Sequence, residues 1–173
     1  MSELYAQCET ILKNIITPRF VYKIVDLQKE EKVPSFLKRG ADIVKYLENC
    51  EKAILLAATL GTAIDMQIRQ ASVARLSEAV ILDKMAGITI DMLCDFAILK
   101  ATARLPGRRI LPRYSPGYGD FPLEVQSDFL HITDAGRRIG LFVTDSDILT
   151  PQKSITAVAG VMEVGSWLLT VDS

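Results

Sequence analysis

Between Ser72 and about Leu105 there is no proline and a single glycine, Gly87, and the good helix formers Ala, Leu, Met and Lys recur throughout. This stretch predicts a long helix. Its apolar residues, Val80, Ile81, Met85, Ile88, Met92, Leu93, Phe96 and Leu99, exceed the one-third stripe of an ordinary surface helix. Other elements are therefore expected to cover it on several sides, which makes it the spine of the fold. Its greasy segment, residues 79–99, is long enough for a membrane span. Asp83, Lys84, Asp91 and Asp95 lie inside it, and a charge near a bilayer centre costs about 2.5–3.5 kcal/mol. A buried helix is the expectation, with no membrane association.

The rest of the chain is mixed. Leu4, Ile11, Leu12 and Ile15 have helical spacing, and Pro18 interrupts the pattern before the β-prone run 20–25. A second helical segment covers 41–47. Residues 54–60 (ILLAATL) form a continuous apolar run ending at Gly61, short enough for a strand buried on both faces. Pro106 and Gly107 end the long helix, and 112–122 (PRYSPGYGDFP) has the composition of a shaped loop. Pro122 opens a helical segment, LEVQSDFLHI. Runs 139–143 and 155–162 are β-prone, joined by a polar turn around Pro151. No linker composition and no internal repeat divides the 173 residues. The fold expected is a single α+β domain over 1–173, a mostly antiparallel sheet with helices packed around the long central helix.

Composition excludes several function classes. The net charge is −1, and no Lys/Arg-rich face has aromatics interleaved in it, which argues against nucleic-acid binding. Cys8, Cys50 and Cys94 are far apart and His131 is the one histidine, so no metal site and no catalytic residue is assigned. Reduced thiols and an acidic N-terminal segment without a leader-like pattern lead to a cytoplasmic expectation. Neither a phosphate-cradling glycine loop nor a nucleophile elbow is present. Asp83, Asp91 and Asp95 are expected as a solvated stripe, and His131 as a partly exposed helix residue.

The loop 112–122 is the candidate for binding. Arg113 offers a planar guanidinium suited to a carboxylate. The prolines restrict the backbone, and Gly117 permits close approach of a ligand beside the Tyr118 ring. Read physically, this segment is either a site for a small ligand bearing a carboxylate or a structural turn with a surface arginine.

The string RYSPGY at 113–118 resembles the S-adenosylmethionine-binding motif of the reactivation domain of cobalamin-dependent methionine synthase. AATLG at 57–61 followed by Asp65, LSEAVILDKMAG at 76–87 and LTPQKSIT at 149–156 are similar to further segments of stand-alone relatives of that domain, in the same order. In the last, Thr156 replaces a serine. The resemblance implies S-adenosylmethionine bound by Arg113 through its carboxylate, by backbone groups of Ser115 and Gly117, and by Tyr118 lining the pocket. It further implies a cobalamin-bearing methionine synthase or related corrinoid protein as partner, cobalamin entering only on that partner. The electron donor implied is a flavodoxin-type or other low-potential reductant. Tyr114, Tyr118 and Phe121 are candidate anchors for the partner, Phe121 equally a residue that packs the loop onto the core.

The chain departs from the pattern at Gly87, where a gapless alignment puts the glutamate that helps hold the methionyl amino group, and at 119–121. Two functions follow as expectations. One is a stand-alone reactivation subunit for remethylating cob(II)alamin in methionine biosynthesis, a methyltransferase component. The other is a non-catalytic corrinoid-protein binding or regulatory module without S-adenosylmethionine. Gly87 favours the second, and Arg113, Gly117 and Tyr118 the first.

Overall fold

The computed structural model describes residues 2–164; Met1 and 165–173 of the span expected as one domain lie outside the described residues. Helix α1 (Ser2–Ile15) leads into strand β1 (Arg19–Asp26), helix α2 (Ala41–Leu47) and strand β2 (Lys52–Thr59). Helices α3 (Thr62–Ala74) and α4 (Leu76–Thr102) follow, then β3 (Arg108–Ile110), α5 (Gln126–Thr133), α6 (Ala135–Ile139), β4 (Phe142–Val143), β5 (Leu149–Thr150) and β6 (Ser154–Glu163). The main sheet has the order β1-β2-β6-β3, and every neighbouring pair is antiparallel. The architecture is α+β, as expected.

Strand β2 lies in the interior of this sheet, and alternation along it sorts two cores. Ile54, Leu56 and Ala58 face α1 and α4, where Leu12, Leu82, Ala86, Ile90, Cys94 and Ala101 pack on them. Ala53, Leu55 and Ala57 face the opposite way, toward Ile43 and Leu47 of α2, Phe129 and Leu130 of α5 and Ala135 of α6. Both faces of the sheet are thus covered by helices, which explains why β2 reads as a continuous apolar run rather than an alternating one.

Three expectations are corrected. The helix expected from Ser72 to Leu105 is two helices, because Arg75 adopts φ −142°, ψ 63° and ends α3 one residue before α4 begins. Sequence reading missed most of α3, although Ile64, Ile68 and Ala71 have helical spacing and pack inward. The run 139–143 is mostly not strand: Ile139 ends α6, and only Phe142 and Val143 pair, with β5. Most telling is α4 itself. Ile88, Met92, Phe96 and Leu99 are all exposed, so the helix is apolar around most of its circumference yet covered on one side by the described residues.

Gly87 occupies a helical position at which an added Cβ meets nothing within 4 Å. Mid-helix glycine costs about 0.5–1 kcal/mol relative to alanine through backbone entropy. Gly87→Ala is therefore expected to raise the unfolding free energy by about that amount, read from urea denaturation as a higher midpoint at unchanged slope.

Candidate functional site

The segment after β3 continues along β6. Leu111 N–H donates to Gly160 O at 2.8 Å, and Tyr114 and Val158 exchange two backbone bonds at 2.8 and 2.7 Å. Extended backbone sends successive side chains to opposite faces. Arg113 accordingly turns toward α4, while Tyr114 turns toward α2 and stacks on Tyr46 with ring centroids 5.3 Å apart.

Two clamps hold this loop against α2. Tyr46 Oη donates to Pro112 O at 2.6 Å and accepts from Gly160 N–H at 2.9 Å, tying α2, the loop and β6 through one phenol. Burial pushes the Tyr46 pKa up to about 12. The Asp120 carboxylate accepts from the N–H groups of Ala41 and Asp42 at 2.6 and 3.0 Å, and Asp42 reciprocates by accepting from Asp120 N–H at 3.3 Å. Asp120 thereby caps the first turn of α2 from a distant part of the chain. Gly119 between these groups has φ +52°, and a Cβ there would lie 2.1 Å from Asp42 Oδ2. Residues 119–121 thus include the groups that dock the loop here.

Arg113 meets two carboxylates. Asp91 and Asp95, one turn apart on α4, each approach its Nη2 at 3.2 Å. The third aspartate of the expected stripe, Asp83, pairs with Lys153 at 2.8 Å. All three stay exposed, as the solvated-stripe expectation has it, and the helical period also brings them to the edge where loops carrying Arg113 and Lys153 arrive. Beneath them Cys94 is buried, and desolvation pushes its thiol up to about 11 against the opposing pull of the Arg113 charge. Cys8, Cys50 and Cys94 are free thiols, and His131 is exposed.

Between α4, the loop and the start of β6 lies a cavity of about 900 Å³. Arg113, Ser115, Gly117 and Tyr118 all line it, together with Asp91, Asp95, Arg109, Gln126, Leu149, Ile155 and Thr156. Asp91 and Asp95 are expected from the sequence only as part of a solvated stripe, and no motif points to Gln126. Arg109 projects from β3 beside Ile110, and among the described residues no ion pair holds it. Gly87 does not line the cavity; the carboxylates that do are those of Asp91 and Asp95.

The backbone groups of Gly117 are partly committed. Its N–H, at φ +91°, donates to Phe121 O at 2.7 Å, which leaves its carbonyl and the Ser115 N–H as the groups without a backbone partner among the described residues. Of the three expected aromatic anchors, Phe121 is 1% exposed and packs the loop onto the core, Tyr114 is sandwiched among Tyr46, Phe121 and Tyr118, and Tyr118 is 62% exposed. Asp65 of α3 also serves this wall, accepting from Gln152 and Lys153 N–H at 2.6 and 3.2 Å and so shaping the turn that leads into β6.

The cavity combines two cations, two carboxylates and a buried amide and hydroxyl with apolar walls. Its size lies within the range of about 300–1,000 Å³ common for small-molecule sites. Among the described residues no group of three or more metal-ligating side chains exists, and no helix is long and apolar enough to cross a membrane.

No protein-family model matches the chain, and no curated protein matches it in sequence. The fold does match. A crystal structure of the MetH reactivation domain bound to AdoHcy superimposes with a TM-score of 0.61 at 10% sequence identity, covering 92% of this chain and 64% of that one. The two share a fold, and the chain spans a little under two thirds of that structure.

The Tyr46 clamp has a measurable pH signature. A phenol whose folded pKa of about 12 exceeds its unfolded value near 10 stabilises the fold fully below pH 10, and that contribution declines as pH rises through 12. Tyr46→Phe is expected to cost about 1–3 kcal/mol at neutral pH, because Gly160 N–H and Pro112 O lose their partner. The variant should also lose stability less steeply than wild type between pH 10 and 12 in parallel denaturant titrations.

Proposed function

We propose that this protein binds S-adenosylmethionine in the cavity between α4 and the 112–122 loop and presents its methyl group to a corrinoid carried by a partner protein. The observation that carries the reading is the cavity's charge arrangement. The guanidinium groups of Arg113 and Arg109 and the carboxylates of Asp91 and Asp95 border one space, as a ligand with both a carboxylate and an ammonium requires. A fold shared with a domain whose structure holds AdoHcy supports the same class of ligand.

Arg113 and Arg109 take the ligand carboxylate, Arg113 by opening part of its pairing with the two aspartates. Asp91 or Asp95 takes the ammonium so released for pairing. A charge-assisted bond of this kind is stronger than a neutral one, and the exchange of one ion pair for two leaves the guanidinium satisfied throughout. Tyr118 and the Ser115 N–H flank the ligand from the loop. The sulfonium supplies the transferred methyl, and the partner's corrinoid, reduced by a flavodoxin-type or other low-potential donor, receives it. The protein contributes orientation, which is what near-attack geometry demands.

The exposed apolar face of α4, with Ile88, Met92, Phe96 and Leu99, flanks the cavity residues Asp91 and Asp95 and, with Tyr118, offers the partner a surface of apolar area framed by charge. A second reading, a corrinoid-binding or regulatory module without S-adenosylmethionine, is favoured by one observation: Arg113 already has both aspartates as partners.

Calorimetry separates the two readings. S-adenosylmethionine is expected to bind the wild type, and Arg113→Ala should lose about 1.5–3 kcal/mol of binding. Absence of binding at millimolar ligand selects the second reading. Mixed with a truncated cobalamin-bearing methionine synthase in the cob(II)alamin form, S-adenosylmethionine and a low-potential reductant, the protein should accelerate the spectral conversion of the cobalamin. A rate unchanged by its addition rejects the reactivation role.

A further inference from the structure

Gln126 on the first turn of α5 is only 6% exposed and borders the cavity. Its Oε1 accepts from Thr156 Oγ1 at 2.6 Å. A carboxamide carries two donors on nitrogen and two acceptor lone pairs on oxygen, so this bond uses one of four capacities and holds the amide in one orientation. Among the described residues Nε2 makes no hydrogen bond, yet it is not sealed from solvent, since the buried side-chain oxygen or nitrogen without a partner is Glu78 Oε1 alone. For a residue as buried as Gln126, the space left to its Nε2 is the cavity. A buried amide left with free donors there is costly unless a ligand or water pairs with it.

With one oxygen lone pair taken by Thr156, the amide retains its N–H donors and a second lone pair on the neighbouring oxygen. That is the pattern complementary to adenine, in which a ring nitrogen accepts and the neighbouring exocyclic amino group donates. Leu149, Ile155, Pro116 and the Tyr118 ring line the same cavity and offer apolar surface to a flat base. The charged groups assigned to the amino-acid half come from α4 and the β3 extension, whereas Gln126 and Thr156 come from α5 and β6. The two ends of the ligand therefore have separate recognition elements.

We propose that Gln126 reads the base of the bound nucleoside, selecting adenine over a purine with an oxo group in place of the amine, with Thr156 as the positioning residue that locks the amide. This deepens the S-adenosylmethionine reading of the cavity and rests on it, but its test uses nucleosides that lack the amino-acid half.

Binding of adenosine, inosine and AdoHcy is measured by ligand-observed NMR and calorimetry on the full chain and on Gln126→Leu, Gln126→Glu and Arg113→Ala, with folding checked by circular dichroism. The wild type is expected to prefer adenosine to inosine by about fivefold or more, the lower end for a bidentate amide–adenine pair. Both Gln126 variants should lose that preference and weaken AdoHcy by a similar factor, while Arg113→Ala weakens AdoHcy and leaves adenosine unchanged. Should Gln126→Leu fail to fold, Gln126→Glu keeps an acceptor for Thr156 and carries the comparison. Equal binding of adenosine and inosine by the wild type, no adenosine binding at millimolar concentration, or a preference retained in Gln126→Glu overturns the proposal. Selective adenosine binding with AdoHcy no tighter than adenosine upholds Gln126 as the base reader and rejects the amino-acid half of the S-adenosylmethionine reading.

Discussion

The rest of the structure depends on the burial of β2 on both faces. Eight consecutive residues pair with β1 on one side and with β6 on the other, and a strand with no solvent face obliges helices to cover both sides of the sheet. That requirement places α4 across one face and α2 with α5 across the other. Everything at the candidate site is then a matter of which chain ends emerge at which edge. Removing apolar area from water is the dominant stabilising term in such an arrangement. The small side chains Ala53, Ala57 and Ala58 on the strand let the helices approach closely on either side.

Against that frame the 112–122 loop is held by polar contacts rather than by burial alone. It borrows order from β6 through the Tyr114–Val158 bridge and from α2 through Tyr46 and Asp120. The alternation of extended backbone divides its labour: Tyr114 and Phe121 anchor the loop into the α2 side, and Arg113 is left to face α4. A binding loop fixed on one side and open on the other is a common way to present functional groups from a rigid scaffold.

The charges at the cavity are arranged in advance. Asp91 and Asp95 are mostly exposed, so their pairing with Arg113 contributes little to stability, as is usual for pairs in contact with water. Its value is positional: the guanidinium is held at the cavity edge rather than sweeping solvent. Deeper in the wall the Thr156–Gln126 bond does for a neutral amide what the aspartates do for the arginine.

Much of the framework is legible in the amino-acid sequence because it follows from local rules. The apolar run ending at Gly61 fits a strand covered on both faces, the spacing within 41–47 fits a short amphipathic helix, and the proline and glycine of 112–122 suit a shaped loop around Arg113 and Tyr118. The break at Arg75 was not legible, since nothing in that residue forbids helix and only the packing of α3 on α4 demands the turn. Nor was the role of Asp91, Asp95, Asp120 or Gln126, each of which matters through a partner from 18 to 79 residues away. Local pattern specifies backbone states, because those depend on near neighbours and the hydrophobic period. Which charge meets which, and therefore what the cavity can hold, depends on long-range pairing that only the tertiary structure decides.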